Sequence, residues 1–243
     1  MDTHGDHALV CSGGGDRTMR HNGLRDVCFR LCHAAGLRPE VEKPGLLRPR
    51  PLIGSSEEDG KQRGGSRGAE GRRPADVFLP AWRLGKPAAL DFAVTSGLRI
   101  DYVPVSQQDG SLPCSRYADR KRAFLDTAAH CQEDGIDFIP MIAEASSGSW
   151  GAEARELFRE VSKTAARLTG DPYSVKLEQS LQTLSVCLHR ANARAILRRA
   201  PTIPPPHSAM ATAQAALARA QAENSAGNLL VDQEADHPPL SFV

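Results

Sequence analysis

The stretch RRPADVFLPAWRLGKPAALDFAVTS, residues 72–96, contains two short apolar runs, each with one aspartate. Alternating residue types predict strands over 75–79 and 88–96, and the Pro and Gly of the segment between them predict a hairpin loop. In a hairpin symmetric about that loop, residues whose numbers sum to 167 are paired, so that Asp76 lies opposite Asp91. Directly opposed residues share a face of the sheet. The hairpin therefore predicts a carboxylate pair on one face.

The opposite face of this hairpin is predicted to be apolar and to pack in the core. Its side chains are Val77, Leu79, Leu90, Phe92 and Val94. Opposed like charges destabilise a sheet unless a cation lies between them or one carboxylate takes up a proton. Mg²⁺ or Mn²⁺ meets that need, because such cations prefer oxygen ligands and complete their coordination with water and substrate phosphate. Two alternatives stay open: an aspartate at a strand end often forms a turn, and a one-residue bulge would place the carboxylates on opposite faces.

A lysine interrupts the apolar stripe of the helix that the sequence predicts over 117–132. The stripe comprises Tyr117, Lys121, Phe124, Leu125 and Ala128. Such a lysine either extends its ammonium to solvent at the helix edge or points it at an anion beneath the helix. The first arrangement is more common, but two carboxylates and a phosphate under attack would favour the second. Lys121 is therefore a candidate third member of the site.

Elsewhere the hydrophobic pattern predicts a helix over 24–35, ended by Gly36, and a short strand over 41–47. A further strand is predicted over 138–144, where Pro140 indicates a sheet edge or a strand end. Two amphipathic helices follow. Their apolar stripes are Leu157, Phe158, Val161, Ala165 and Leu168 in the first and Leu177, Leu181, Leu184, Leu188 and Ala195 in the second. The order helix, strand, strand, strand, helix, strand, helix, helix predicts an α/β fold.

Composition divides the chain into a folded part and flanking segments. Residues 48–73 are rich in Gly, Ser, Arg and Pro and predict a mobile insert, and residues 200–243 predict a largely disordered Ala- and Pro-rich tail. Residues 1–20 are assigned to a separate N-terminal segment, which leaves a domain over 21–199. The formal net charge of +1 argues neither for nor against a nucleic-acid partner, although the basic front half is compatible with one.

Cysteine usage and hydropathy indicate an intracellular protein with no membrane partner. The six cysteines form no CxxC pair and no regular spacing, which argues against a secreted disulfide framework. No run of about 18 apolar residues, the length that a membrane span needs, occurs in the sequence.

A series of short motifs resembles a known nuclease domain. The motifs are HGDHALVC, RHNGLRD, AGLRPEVEKPGLL, RRPADVFLP, ALDFAVTS and YADRKRAF, in that order. Together they resemble the restriction-like endonuclease domain of non-LTR retrotransposon polyproteins, which is associated with reverse transcriptase and belongs to the PD-(D/E)xK superfamily. The resemblance covers roughly residues 4–199. It implies a restriction-endonuclease-like core of helix, three strands, helix and strand, with two extra C-terminal helices.

The resemblance implies roles for individual residues. Asp76, in PAD, stands at the family's PD aspartate, and Asp91, in DFA, stands at the acidic position of (D/E)xK; both would bind Mg²⁺. Ala93 occupies the position of the motif lysine, which is therefore missing. In these retroelement domains the lysine is typically displaced onto the following helix, which makes Lys121 its candidate. Tyr117, one turn earlier, would line the same site.

Four further residues are less directly matched to the resemblance. Glu42 corresponds to an acidic residue of the first strand, and Arg20 and His21 correspond to a basic pair that would bind nucleic acid. Arg73, just before PAD, is a further candidate nucleic-acid contact. For Glu42 and Arg20, the open alternative is a solvated surface charge.

A zinc knuckle precedes the nuclease domain in the family. His7 and Cys11 keep the HxxxC half of its spacing, but no CxxC pair precedes them. Structural zinc requires four ligands, so two residues alone would hold it poorly. We therefore expect either a fragment of a longer polyprotein or a zinc site that has been lost.

Three functional hypotheses follow from these patterns. The first is a metal-dependent DNA endonuclease domain of retroelement origin, located in the nucleus, with other parts of the polyprotein as possible partners. The second is a catalytically inactive, nucleic-acid-binding remnant of such a domain. The third is an unrelated α/β interaction protein, which a wide separation of Asp76 and Asp91 would favour.

Overall fold

The computed structural model describes Leu9 and residues 13–47, 74–99 and 101–198. All of them fall within one compact unit, Met1–Arg199. The predicted insert over 48–73 and the predicted tail over 200–243 lie outside the described residues, as do His7, Cys11 and Arg73. What the sequence predicts for those positions therefore stays a prediction.

The first helix, α1, spans Asp16–Ala34 and so begins well before the predicted start at residue 24. Its first turns are polar and lack the hydrophobic periodicity that predicts a helix, but contacts with distant residues stabilise them. Arg198 donates to the buried Asp16 carboxylate at 2.8 Å, and a Cβ on Gly23 would lie 3.0 Å from the Cys187 sulfur. The helix ends as predicted, with Gly36 in a left-handed conformation just beyond it.

Within the described residues, four strands form one mixed sheet in the order β1, β2, β3, β4. They are β1 Glu40–Val41, β2 Val77–Leu79, β3 Ala88–Thr95 and β4 Asp137–Glu144. The first three are antiparallel, and β4 runs parallel to β3. The pairs between β2 and β3 are Val77 with Leu90, Phe78 with Ala89 and Leu79 with Ala88, each with numbers that sum to the predicted 167. The predicted register is confirmed over Val77–Leu79. Asp76 lies just before this ladder, and its N–H donates to the Leu90 carbonyl, so the predicted Asp76–Asp91 pair is not one of the ladder pairs.

The last strand confirms the interpretation of Pro140. This proline lies in the middle of β4, paired with Asp91 of β3, and β4 is one of the two edge strands of the described sheet. A proline has no N–H to donate to a second neighbour, which is why it is tolerated at an edge. The first strand is shorter than predicted, since it comprises two residues rather than the run over 41–47.

The connection between β3 and β4 is helical but broken. It contains α2 Val103–Ser106, α3 Leu112–Ala123 and α4 Thr127–Glu133. The prediction of one continuous helix over 117–132 is therefore wrong. Leu125 and Asp126 adopt left-handed backbone angles, with φ of 56° and 54°, and these angles end one helix before the next begins.

Two long helices complete the described chain, α5 Ala152–Thr169 and α6 Tyr173–Leu197. Most of each predicted apolar stripe is buried, but Leu168 is 64% exposed and Leu181 is 37% exposed. Both lie outside the surface that α5 and α6 present to the core, so the stripes are narrower than their periodicity predicts. None of the helices described is long and apolar enough to span a membrane.

The predicted apolar face of the hairpin lies in the main core. Val77, Leu79, Leu90 and Phe92 are at most 1% exposed, and Val94 packs against them. Each such side chain contributes about 1.5 to 3 kcal/mol when fully buried. The other face is also covered in part, since Phe78 and Ala89 pack near Cys131 and Ile136. The described residues thus form an α/β fold in which helices cover both faces of the sheet.

Candidate functional site

Asp76 lies one residue before β2, where the antiparallel ladder with β3 ends. Its backbone N–H donates to the Leu90 carbonyl at 2.8 Å. Its side-chain Oδ2 accepts a hydrogen bond of 2.6 Å from the backbone N–H of Phe92. The carboxylate therefore satisfies a strand N–H that no longer has a backbone partner from β2, and these two bonds fix its position beside β3.

Asp91 lies on β3 and receives its main contact from a different element. The Lys121 ammonium on α3 donates to Asp91 Oδ1 at 2.9 Å. The two side chains are 26% and 21% exposed, respectively, so the pair is largely shielded from water. The Lys121 ammonium therefore points at an anion beneath the helix, the Asp91 carboxylate, and does not extend to solvent at the helix edge.

His21 on α1 closes the site from the other side. Its Nε2 lies 2.9 Å from Asp76 Oδ2, and its Nδ1 lies 3.1 Å from the Asn22 side-chain oxygen. Because both ring nitrogens face oxygen atoms, the protonated imidazolium satisfies both contacts at once. The hydrogen bond to Asp76 is the main cause that raises the pKa of His21 above its ordinary value, against the opposing effect of burial.

The two aspartates differ in their pKa shifts. Burial acts to raise the pKa of Asp76, but the hydrogen bond and charge of His21 outweigh it and hold the pKa below its ordinary value. The pKa of Asp91 is raised to about 6, mainly by burial, which the charge of Lys121 opposes and the charge of Asp76 reinforces. The site therefore favours an ionised Asp76, whose charge helps to raise the pKa of Asp91.

A pocket of about 350 Å³ contains these groups. It is lined by Leu9, Arg17, Arg20, His21, Asp76, Asp91, Phe92, Ala93, Val94, Thr95, Arg99, Tyr117 and Lys121. The structure thus brings together six of the predicted site residues: Arg20, His21, Asp76, Asp91, Tyr117 and Lys121. Cationic side chains outnumber the two carboxylates, and a surplus of positive charge suits an anionic ligand such as a phosphodiester.

Two of the arginines in this lining, Arg17 and Arg99, are not among the candidates from the sequence. Arg17 lies one turn before His21 on α1, and Arg99 follows the end of β3. Helical spacing from His21 could have indicated Arg17, had α1 been predicted to begin early enough. Arg99 carried no such signal, because its place depends on the loop that leaves β3.

For Arg20 and Glu42, the sequence left open that each is only a solvated surface charge, and the structure gives a different result for each. Arg20 is only 3% exposed, and its guanidinium donates to the Leu9 carbonyl, so it is not a solvated surface charge. Glu42 lies outside the pocket, where its carboxylate accepts from Arg25 at 2.5 Å with its side chain half exposed. The backbone N–H of Glu42 donates to the Asp76 carbonyl at 3.1 Å, so Glu42 lies beside Asp76 in the sheet. Its carboxylate, however, pairs with Arg25 and does not line the pocket.

Ala93 explains why the lysine comes from a helix. It faces the same way as Asp91, is 6% exposed, and packs against Cys114 and Ala118 of α3. A long side chain at this position would meet that helix directly. The helix in turn supplies Lys121 from above the strand.

Glu144, at the end of β4, is a buried acid that the sequence did not single out. It is 5% exposed and accepts hydrogen bonds from the backbone of Gly97, Ser146 and Ser147. The hydroxyls of both serines also donate to it. Its oxygens are thus used to hold two loops, and it does not line the pocket.

Two carboxylates are available for a metal ion in this pocket. Within the described residues, no group of three or more His, Cys, Asp or Glu side chains is arranged to hold a metal. Mg²⁺ commonly binds proteins through one or two carboxylates, while water and substrate phosphate supply the remaining ligands. Asp76 and Asp91 fit that donor set, and they do not fit zinc, which needs a complete set of protein ligands in structural sites.

Comparison with known proteins does not assign the chain to a family. The chain matches no protein-family model, and no curated protein matches it.

Proposed function

We propose that this chain is a metal-dependent DNA endonuclease domain of the PD-(D/E)xK type and of retroelement origin. The observation that carries the proposal is the convergence of Asp76, Asp91 and Lys121 in one pocket. Asp76 directly precedes β2, Asp91 lies on β3, and Lys121 lies on α3. Two carboxylates can hold a metal ion that activates water for phosphodiester hydrolysis, and a neighbouring lysine can stabilise the charge that develops on the phosphate.

The order of elements supports the same proposal. An opening helix, three antiparallel strands, a helical crossover and a fourth strand parallel to the third agree with the core that the resemblance implies. A DNA substrate implies that the domain acts in the nucleus, and the resemblance implies other parts of a retroelement polyprotein as partners.

Asp76 and Asp91 would hold Mg²⁺ or Mn²⁺. When bound, such an ion lowers the pKa of a coordinated water and neutralises charge on the phosphate under attack. Asp76 is the better prepared of the two, because His21 and the Phe92 N–H keep it ionised and oriented. Asp91 loses its proton near pH 6, so both carboxylates are available at neutral pH.

The cations of the pocket would bind and stabilise the phosphate. Lys121, already held 2.9 Å from Asp91, would stabilise the negative charge that develops on the phosphoryl oxygens as water attacks. Arg17 and Arg99 line the same pocket and would contact the flanking phosphates. Such contacts position the backbone of DNA without reading its sequence.

Nicking of supercoiled plasmid tests the proposal directly. The wild-type chain is expected to nick the plasmid with Mg²⁺ or Mn²⁺ and not with EDTA. Asp76→Asn and Asp91→Asn are expected to abolish nicking. The matched control is Asp171→Asn, because Asp171 is also paired with a lysine, Lys176 at 2.7 Å, but lies outside the pocket. Equal nicking by the wild type and the two site variants would refute the assignment.

One observation favours a second candidate, a nucleic-acid-binding remnant without catalysis. Each carboxylate of the site already has an internal cation, His21 for Asp76 and Lys121 for Asp91, so neither carboxylate needs a metal to neutralise its charge. The motif lysine is also replaced by the buried Ala93. DNA binding that is unaffected by Mg²⁺, with no cleavage under any metal, would support this candidate over the first.

A further inference from the structure

An exposed ridge on α3 runs beside the pocket without being part of it. Its residues are Arg116 and Arg120 of α3 and Phe124, which directly follows the last residue of the helix, Ala123. They are spaced four apart, and because the Phe124 N–H still donates to the Arg120 carbonyl, they follow one side of the helix to its end. The two arginines are exposed, and Phe124 is 63% exposed, which is unusual for a large aromatic side chain. Successive members lie about 6 Å apart along the helix axis. We refer to these three residues as the Arg–Phe ridge.

The backbone after the ridge holds Phe124 in place. Leu125 and Asp126 follow it in left-handed conformations, which residues other than glycine seldom adopt. The Thr127 hydroxyl donates to the Phe124 carbonyl at 2.7 Å, and the Phe124 N–H donates to the Arg120 carbonyl. Phe124 is thus presented to solvent by an ordered turn whose unfavourable angles suggest a function.

The Arg–Phe ridge lies next to the face of α3 that reaches the proposed site. Tyr117 and Lys121, which line the pocket, each follow a ridge arginine by one residue. One residue corresponds to about 100° around a helix of 3.6 residues per turn, so the two faces adjoin. A strand of nucleic acid with one phosphate in the pocket would therefore pass directly over or beside this ridge.

We infer that the Arg–Phe ridge binds an unpaired segment of nucleic acid, with Phe124 stacked on an exposed base and Arg116 and Arg120 on neighbouring phosphates. Aromatic stacking combined with nearby cations is the chemistry by which proteins hold single strands regardless of sequence. A paired base offers no face to Phe124 unless the duplex opens. The inference rests on the proposed function, because it takes the pocket to hold a scissile phosphate.

Binding to matched oligonucleotides tests the inference. Fluorescence anisotropy with the full chain would compare a single strand with the same sequence as a duplex, in EDTA so that nothing is cleaved. Phe124→Ala is expected to weaken single-strand binding about tenfold, the effect of losing one stacked base. Phe124→Trp is expected to preserve it. Arg116→Gln and Arg120→Gln should each lower the salt dependence by about 0.7 in log–log slope, as expected for one phosphate contact on a single strand.

The control is Leu168→Ala, since Leu168 has nearly the same exposure, 64%, on a different helix. Wild-type affinity in Phe124→Ala, or equal losses in Phe124→Ala and Leu168→Ala, would overturn the inference. A loss of binding to anionic lipid vesicles with no loss on DNA would also overturn it, by assigning the ridge to a membrane surface. Plasmid nicking that survives Asp76→Asn would refute the proposed nuclease alone, while Phe124-dependent binding to single strands would still uphold the ridge.

Discussion

The Lys121 ammonium lies 2.9 Å from Asp91 Oδ1, although 30 residues of chain separate them. This contact closes the pocket between α3 and β3, and it exists because Ala93 lets α3 approach the strand. A lysine that interrupts an apolar helical stripe is thus accounted for by the carboxylate beneath it.

The contact predicts the behaviour of Lys121→Met. We expect nicking to fall by about a hundredfold or more, the usual effect of removing one group that stabilises charge in a transition state. DNA binding should change far less, because several arginines remain. Plasmid nicking and anisotropy measured side by side separate the two effects. Lys176→Met, which breaks the Asp171 pair outside the pocket, should leave nicking unchanged; the same loss in both variants would contradict the prediction.

Metal binding should compete with a proton on Asp91. Because the pKa of Asp91 is raised to about 6, its carboxylate is increasingly protonated below that pH. Affinity for Mn²⁺ should therefore weaken by about tenfold for each pH unit below 6 and level off above it. Calorimetric titration with Mn²⁺ between pH 5 and 8 would measure this change. Asp91→Asn should bind weakly and without that dependence; a wild-type affinity that is flat from pH 5 to 6 would contradict the expectation.

The His21–Asp76 pair should make stability depend on pH in the absence of metal. Since the pKa of His21 is raised above 6.5 in the folded protein, the pair stabilises fully below pH 6.5 and less as pH rises through the folded value. Urea unfolding in EDTA at pH 6 and pH 8.5 should show the wild type losing more stability than His21→Gln over this interval. If the two proteins lose the same amount, the imidazolium does not stabilise the fold.

Glu144→Gln should destabilise the fold without touching the pocket. Its carboxylate accepts hydrogen bonds from the backbone N–H groups of Gly97, Ser146 and Ser147. The NH2 group of a glutamine amide would face some of these N–H groups and could not accept from them. We expect a loss of about 1 to 3 kcal/mol in the free energy of unfolding. Urea unfolding at pH 7 would measure it, with the exposed Glu178→Gln as the neutral control.

Glu144 should also make the free energy of unfolding fall at acidic pH. Burial acts to raise the pKa of Glu144, but hydrogen bonds from Ser147, Gly97 and Ser146 hold it below its ordinary 4.5. Its contribution is therefore full above pH 4.5 and is lost as the pH falls through the folded value. The difference in stability between wild type and Glu144→Gln should shrink on acidification below pH 4.5. A constant difference would show that the charge of Glu144 is not what the two loops require.

Much of the hairpin could be predicted because its signals are local. Period-two alternation and a Pro- and Gly-containing loop specify the register between β2 and β3. Asp76, just before β2, and Asp91, on β3, then line the same pocket. Lys121 could be proposed for the site because a charge in an apolar helical stripe is visible in the sequence. Pro140 likewise indicated a sheet edge or a strand end, and the structure has the edge position.

Other features had no local signal. The early start of α1 depends on Asp16 meeting Arg198, which lies 182 residues away. The break of the crossover helix depends on left-handed Leu125 and Asp126, neither of which is a glycine. Burial of Arg20, the pairing of His21 with Asp76 and the separation of Glu42 from the pocket all arise from packing between distant segments.

The sequence by itself determined the α/β class, the strand register and the two carboxylates on one side of a hairpin, because residue periodicity and turn chemistry act over a few residues. The tertiary structure alone decided that Lys121 meets Asp91, that His21 holds Asp76, and that Arg17 and Arg99 join the same pocket. Those relationships depend on how α1 and α3 pack on the sheet, and packing is set by burial and charge pairing across the whole domain rather than by any local pattern.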